Sequence, residues 1–120
     1  MVGQLTELTA YGRVNCATAA MAAGYPVIVV DERRGGVGEL VFAATLASTD
    51  LLAFAVRHAS GFVGIALTAG RCERLELPPM YPGSDDRDAC AYRVTVDLVG
   101  PGTGLSATDR ARMSQLVSFL

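Results

Sequence analysis

One hundred and twenty residues, 51% hydrophobic and 18% charged, suffice for one domain with a real core and exclude intrinsic disorder. Ten basic against twelve acidic side chains leave a net charge of −2, too balanced to hold a polyphosphate backbone by counterion release, which excludes general nucleic-acid binding. Every basic residue is arginine, so lysine Schiff-base chemistry and a Walker-type phosphate lysine are both absent, and the single histidine, His58, rules out a multi-histidine metal site within the chain.

Cys16, Cys72 and Cys90 are odd in number and show no C-x-x-C spacing, and the first dozen residues carry neither a basic start nor an apolar run. We read them as reduced thiols of a cytoplasmic protein. No apolar run reaches the roughly 20 residues that span a bilayer, so no membrane association is expected.

Along the chain, 14–23 is alanine-rich and ends at Gly24 before Pro26, the stop pattern of a short helix. Asn15 and Thr18 are its polar relief, so it should be buried nearly all round. Residues 26–30 (PVIVV) form a β-branched run without alternation, suited to a strand covered on both faces. The segment 31–39 (DERRGGVGE) follows as a mobile, charged glycine loop, before a second strand at 40–44. Ser48-Thr49-Asp50 caps a helix over 51–58, and Gly61 lies just past its end. A third strand is expected over 62–68, and a short helix or turn over 72–77 closed by Pro78-Pro79. A polar loop at 83–88 precedes a half-buried, alternating strand at 92–98. Ser106 and Asp109 then open a final helix whose apolar face is Met113, Leu116, Val117 and Leu120. The reading is α+β: one domain over 1–120, a mixed sheet with helices packed on it.

Three groups of residues carry candidate chemistry. Asp31, Glu32 and Glu39 flank Arg33 and Arg34, a set able to hold a cation and a phosphate together; the plainer reading is a solvated charged hairpin. Arg57 and His58 stand at a helix end, where cations relieve the dipole. Thr103-Gly104-Leu105-Ser106 leads into a helix whose free amides suit a phosphate, or is an ordinary N-cap. Cys16, among alanines, reads as packing, and Cys90 follows an acidic loop that disfavours a thiolate nucleophile.

In order, PVIVVD, the glycine loop, GELVFAA, RHASGFVGIALT, LELPPM, AYRVTVD and TGLSATDRA resemble the 3,4-dihydroxy-2-butanone 4-phosphate synthases, lyases of riboflavin biosynthesis. The likeness runs from about Val14 to Arg112 and is most specific in Arg57-His58-x-Ser60-Gly61 and Thr103-Gly104-x-Ser106-Ala107-x-Asp109-Arg110. It implies homodimers with sites at the subunit interface, and a DRENEGD loop that binds ribulose 5-phosphate and magnesium. Arg34 matches that loop's arginine and Gly38 its glycine, Glu39 replaces its aspartate, and its two glutamates fall on Gly35 and Val37. Glycine and valine offer no side-chain ligand, so the resemblance implies a shortened, degenerate member lacking the family's C-terminal half and its magnesium site.

The resulting expectation is a small-molecule site, for a phosphorylated ligand if the resemblance carries over. Glu39 and Asp31 are its acid–base groups, Arg34, Gly38, Thr103 and Ser106 bind substrate, and no metal or other cofactor is called for. A metal-independent isomerisation, cyclisation or lyase step in bacterial specialised metabolism fits this set, the lack of lysine matching the coding bias of GC-rich bacteria. The alternatives are a non-catalytic binding or regulatory subunit and, third, the riboflavin-pathway lyase itself. The nearly all-apolar first helix and the apolar face of the last also predict a homo-oligomer, a dimer by symmetry.

Overall fold

A computed structural model describes residues 9–81 and 92–119, with the backbone only for Arg34 and Phe119. The expected loop at 83–88, Cys90 and Leu120 lie outside the described residues.

Helix α1 spans Ala10–Ala22. Thr9 caps it by accepting a hydrogen bond from Gly12 N at 3.2 Å. Its end is a Schellman motif: Tyr25 N donates to Ala20 O at 2.9 Å and Gly24 N to Met21 O at 3.0 Å, with Gly24 at φ +86°. Strands β1 (Val27–Asp31) and β2 (Val37–Val41) then pair antiparallel, from Val27 opposite Val41 to Asp31 opposite Val37. A 3₁₀ turn at Glu32–Arg34 joins them, followed by Gly35 and Gly36, both at φ +75°, a conformation in which glycine avoids a Cβ clash.

Helix α2 spans Thr49–His58, with Ser48 Oγ accepting from Leu51 N at 3.2 Å. Asp50 in its first turn and Arg57 and His58 in its last complement the helix dipole, and His58 also stacks on Phe54 with ring centroids 4.6 Å apart. Short helix α3, Ala69–Arg74, buries Cys72. It closes by the same six-to-one bond, Leu77 N to Cys72 O at 2.9 Å, but with Glu76 at φ +53° where glycine is usual. Helix α4 spans Ala107–Phe119.

The core lies where α4 packs on α2 and on a 3₁₀ turn at Ala44–Leu46. Leu52, at 0% exposure, sits there with Ala47 and Ala111, and Phe42, Val63 and Ala107 pack around them. Four side-chain bonds among the described residues tie α4 down: Gln115 Nε2 to Ala47 O at 2.6 Å, Arg71 Nη1 to Ser118 O at 2.7 Å, Arg110 Nη1 to Gly61 O at 3.1 Å and Thr49 Oγ1 to Thr108 Oγ1 at 3.3 Å. The α+β class holds, as helices with a small antiparallel sheet.

Several local expectations are corrected. Helix α1 has no buried residue, Tyr11 is 83% exposed and Cys16 is exposed. Small side chains permit close packing without requiring it, and among the described elements α1 packs chiefly on β1. Ile28 is 71% exposed, so β1 is not covered on both faces. Much of the expected glycine loop is strand, since Asp31 and 37–39 belong to the hairpin ladder, and β2 ends at Val41. Residues 62–68 keep the alternating exposure of a strand but pair with no described neighbour, and 92–98 is mostly exposed. Prolines explain the latter. Met80 N donates to Tyr92 O at 3.0 Å and Val94 N to Pro78 O at 3.1 Å, but Pro78 has no N–H to return the bond to Val94, and pairing stops at one bridge between Pro79 and Arg93. On α4 the buried positions are Ala111, Ser114 and Val117, while Leu116 is exposed. Small residues let that helix approach closely, and Ser114 Oγ donates to Arg110 O at 2.8 Å.

Among the described residues no helix is long and apolar enough to cross a membrane.

Candidate functional site

Strand geometry brings the two candidate acid–base residues together. In an antiparallel pair, directly opposed residues project to the same face and alternate along each strand. Val29 opposes Glu39 and Asp31 opposes Val37, so these four share one face of the hairpin. They line a cleft of about 200 Å³ in which the carboxylates of Asp31 and Glu39 stand diagonally across the ladder. Asp31 is held in place, since its Oδ1 accepts a hydrogen bond from Arg33 N at 3.0 Å and so caps the 3₁₀ turn. Arg34 is the last residue of that turn, at the rim of the hairpin, and its side chain lies outside the described residues. Gly38 opposes Val30 on the other face, where an added Cβ would come within 3.2 Å of Ile28 Cγ2.

Thr103 and Ser106 sit on a second element, the turn into α4. Thr103 Oγ1 accepts from Leu105 N at 3.4 Å and Ser106 Oγ from Asp109 N at 3.0 Å, so both hydroxyls serve the local backbone. Two carboxylates press on the glycines between which Thr103 lies. A Cβ on Gly104, at φ +70°, would overlap the Asp97 carboxylate, and one on Gly102 would lie 2.5 Å from Asp109 Oδ1. Beside this turn is a second cleft of about 370 Å³, lined by Ala53, Val56, Arg57, Leu105, Ala107 and Arg110. It shares no residue with the hairpin cleft.

The sequence reading treated Arg57 as a dipole partner and gave Arg110 no role. Both stand in the two most specific stretches of the resemblance, Arg57-His58-x-Ser60-Gly61 and Ser106-Ala107-x-Asp109-Arg110, and that coincidence was the available signal.

The hairpin's own side chains would supply only part of a magnesium shell, and waters or substrate oxygens would complete it. A hard cation takes about six oxygens. The hairpin cleft offers two carboxylates between the valines at 29 and 37, and no group of three or more His, Cys, Asp or Glu side chains able to hold a metal occurs among the described residues.

Comparison with known proteins places this arrangement in a family. The chain is 47% identical over 113 residues to the riboflavin biosynthesis protein RibBA of Salinispora tropica, covering 92% of this chain and 28% of that one. It is 45% identical over 113 residues to RibBA of Rhodococcus jostii, 27% of which is covered. Among solved structures, a 3,4-dihydroxy-2-butanone 4-phosphate synthase in complex with two magnesium ions superposes with a TM-score of 0.80 at 36% identity, over 87% of this chain and 50% of that chain. The Candida albicans synthase gives 0.74 at 39% identity, over 87% and 51%. The chain thus spans about half the length of those synthases and little more than a quarter of the RibBA proteins. The sequence profile of the 3,4-dihydroxy-2-butanone 4-phosphate synthases matches residues 15–118, and the chain belongs to that family.

Proposed function

We propose that this chain is a degenerate member of the synthase family, repurposed in bacterial specialised metabolism, that handles a small phosphorylated molecule at the hairpin and carries out a metal-independent acid–base step there. The observation that carries the reading is the placement of Asp31 and Glu39, eight positions apart in sequence, on one face and in one cleft. Two carboxylates so placed can divide the work of an isomerisation, cyclisation or elimination next to a carbonyl. One takes up a proton from carbon while the other, protonated at the outset, gives its own proton to the oxygen, so that the two groups exchange protonation states over the step. Glu39 and Asp31 share the base and acid roles in this reading, and the Arg33 amide holds Asp31 in place by donating to its Oδ1. Arg34 at the rim of the hairpin is the group proposed to supply the permanent positive charge that a phosphate needs, with Gly38 offering backbone, whereas Thr103 and Ser106, also expected in the binding set, lie on the separate α4 turn. Within bacterial specialised metabolism such a step needs no resident metal or organic cofactor.

The chain acts in the cytoplasm as a homodimer in this reading. The exposed apolar side chains of α1 and β1, Tyr11, Val14, Ile28 and Val30 among them, support a covering partner. The same exposure favours a second reading, a non-catalytic subunit that docks another protein through this surface. Ordinary lyase action on ribulose 5-phosphate is the third, supported by the names of the relatives.

Calorimetric titration with ribulose 5-phosphate and simpler sugar phosphates separates these. The proposal expects saturable binding that weakens at least about tenfold in Arg34→Ala, worth about 1.4 kcal/mol. Glu39→Gln should keep binding and abolish turnover. Binding and turnover indifferent to both substitutions would refute the proposed site and leave the docking subunit.

A further inference from the structure

We infer that the cleft between α2 and the start of α4 is a second anion-binding site, one that takes a small organic phosphate or carboxylate with a short apolar body. The inference does not depend on the hairpin chemistry, because the two clefts have no residue in common.

Two guanidinium groups from different helices, Arg57 of α2 and Arg110 of α4, line this cleft. Neither makes an ion pair among the described residues. Like charges brought to one concavity repel, and an anion between them reverses the sign of that interaction. Arg110 is the fixed member of the pair. Its Nη1 donates to Gly61 O at 3.1 Å across the turn that follows α2, so its remaining N–H groups are held at the cleft without a new ordering cost. Arg57 projects from the last turn of α2 and has no hydrogen-bond partner among the described residues, which leaves its planar fork free for two-point contact with a carboxylate or phosphate.

The rest of the lining is apolar: Ala53, Val56, Leu105 and Ala107. Val56 and Leu105 are both solvent-exposed, and a ligand with an apolar portion would cover them. A volume of about 370 Å³ lies within the usual range for small-molecule sites, which are apolar concavities with a few placed polar groups. The nearby carboxylates point elsewhere. Asp109 lies against Gly102, and Asp97 lies against Gly104 with its Oδ1 accepting from Leu98 N at 2.7 Å. The positive side of the α4 entrance therefore faces the cleft, and its negative side faces the glycine turn.

The test is a ¹H–¹⁵N NMR titration of the intact chain with phenyl phosphate, benzoate and inorganic phosphate at constant ionic strength. Phenyl phosphate or benzoate should give saturable shifts centred on residues 53–61 and 105–110 in the millimolar range or tighter, and inorganic phosphate, which lacks the apolar body, should bind more weakly. Arg57→Gln should weaken the best ligand about tenfold. Arg57→Lys should recover only part of the loss, because an ammonium lacks the planar fork. Arg110→Gln should act in the same direction, and since Arg57 is exposed, its variants keep the test valid if loss of the Gly61 bond unsettles the fold. Glu39→Gln should leave the titration unchanged. Shifts that track ionic strength alone, shifts centred on the hairpin, or affinity that Arg57→Gln leaves intact would each overturn the assignment.

Discussion

Gly104→Ala is the substitution whose cost follows most directly from local geometry. Residue 104 has φ +70°, which L-residues reach only at about 1–2 kcal/mol. The new methyl would also overlap the Asp97 carboxylate, the far end of an exposed side chain, which swings aside and gives up its bond from Leu98 N at a cost of about 0.5–1.5 kcal/mol. The sum, about 1.5–3.5 kcal/mol, is a large part of the 5–15 kcal/mol that holds a typical domain folded. Asp97→Ala makes that loss beforehand, so on its background Gly104→Ala should cost only the backbone term of about 1–2 kcal/mol. Urea unfolding of wild type, both single variants and the double variant completes the cycle. The reasoning fails if Gly104→Ala lies within about 0.5 kcal/mol of wild type, or if the two effects simply add.

Glu76→Gly tests the same physics with the opposite sign. Glu76 occupies the left-handed position after α3 at φ +53°, and glycine there should stabilise by up to about 1 kcal/mol, read as a rise in urea midpoint. Leu52→Ala empties the centre of a small core and should cost about 2–5 kcal/mol in the same assay; a cost under about 1 kcal/mol would place the core elsewhere. Light scattering at micromolar concentration should give twice the 12.5 kDa of one chain, and a stable monomer would contradict the covering of α1 and β1 by a second copy.

Signals that operate within a few residues were legible in the sequence. Ser48 and Ser106 accept the capping bonds their positions predict, Gly24 and Gly61 take positive φ past helix ends, and the α+β class agrees with the structural neighbours. Burial was less legible, because it depends on what lies opposite. The alanines of α1 and the β-branched run of β1 satisfy both a buried and an exposed placement, and Ile28 is exposed. On α4, hydrophobicity pointed to Met113 and Leu116, whereas close approach favours Ala111 and Ser114. At the site, Asp31 and Glu39 were found by residue type, but the ladder register that puts them on one face is a pairing property that a single strand does not encode. Arg57 and Arg110 come together only through the packing of α2 on α4, 53 positions apart in sequence.

The central claim is that the family scaffold persists here while the acid–base step proceeds without a resident magnesium ion. Incubation of the purified chain with isotopically labelled ribulose 5-phosphate, with and without magnesium, and detection of formate by carbon NMR tests it most directly. The account predicts no magnesium-dependent formate above the protein-free control. Magnesium-dependent formate in proportion to sugar phosphate consumed, and abolished by Glu39→Gln, would contradict it and establish ordinary lyase chemistry at the hairpin.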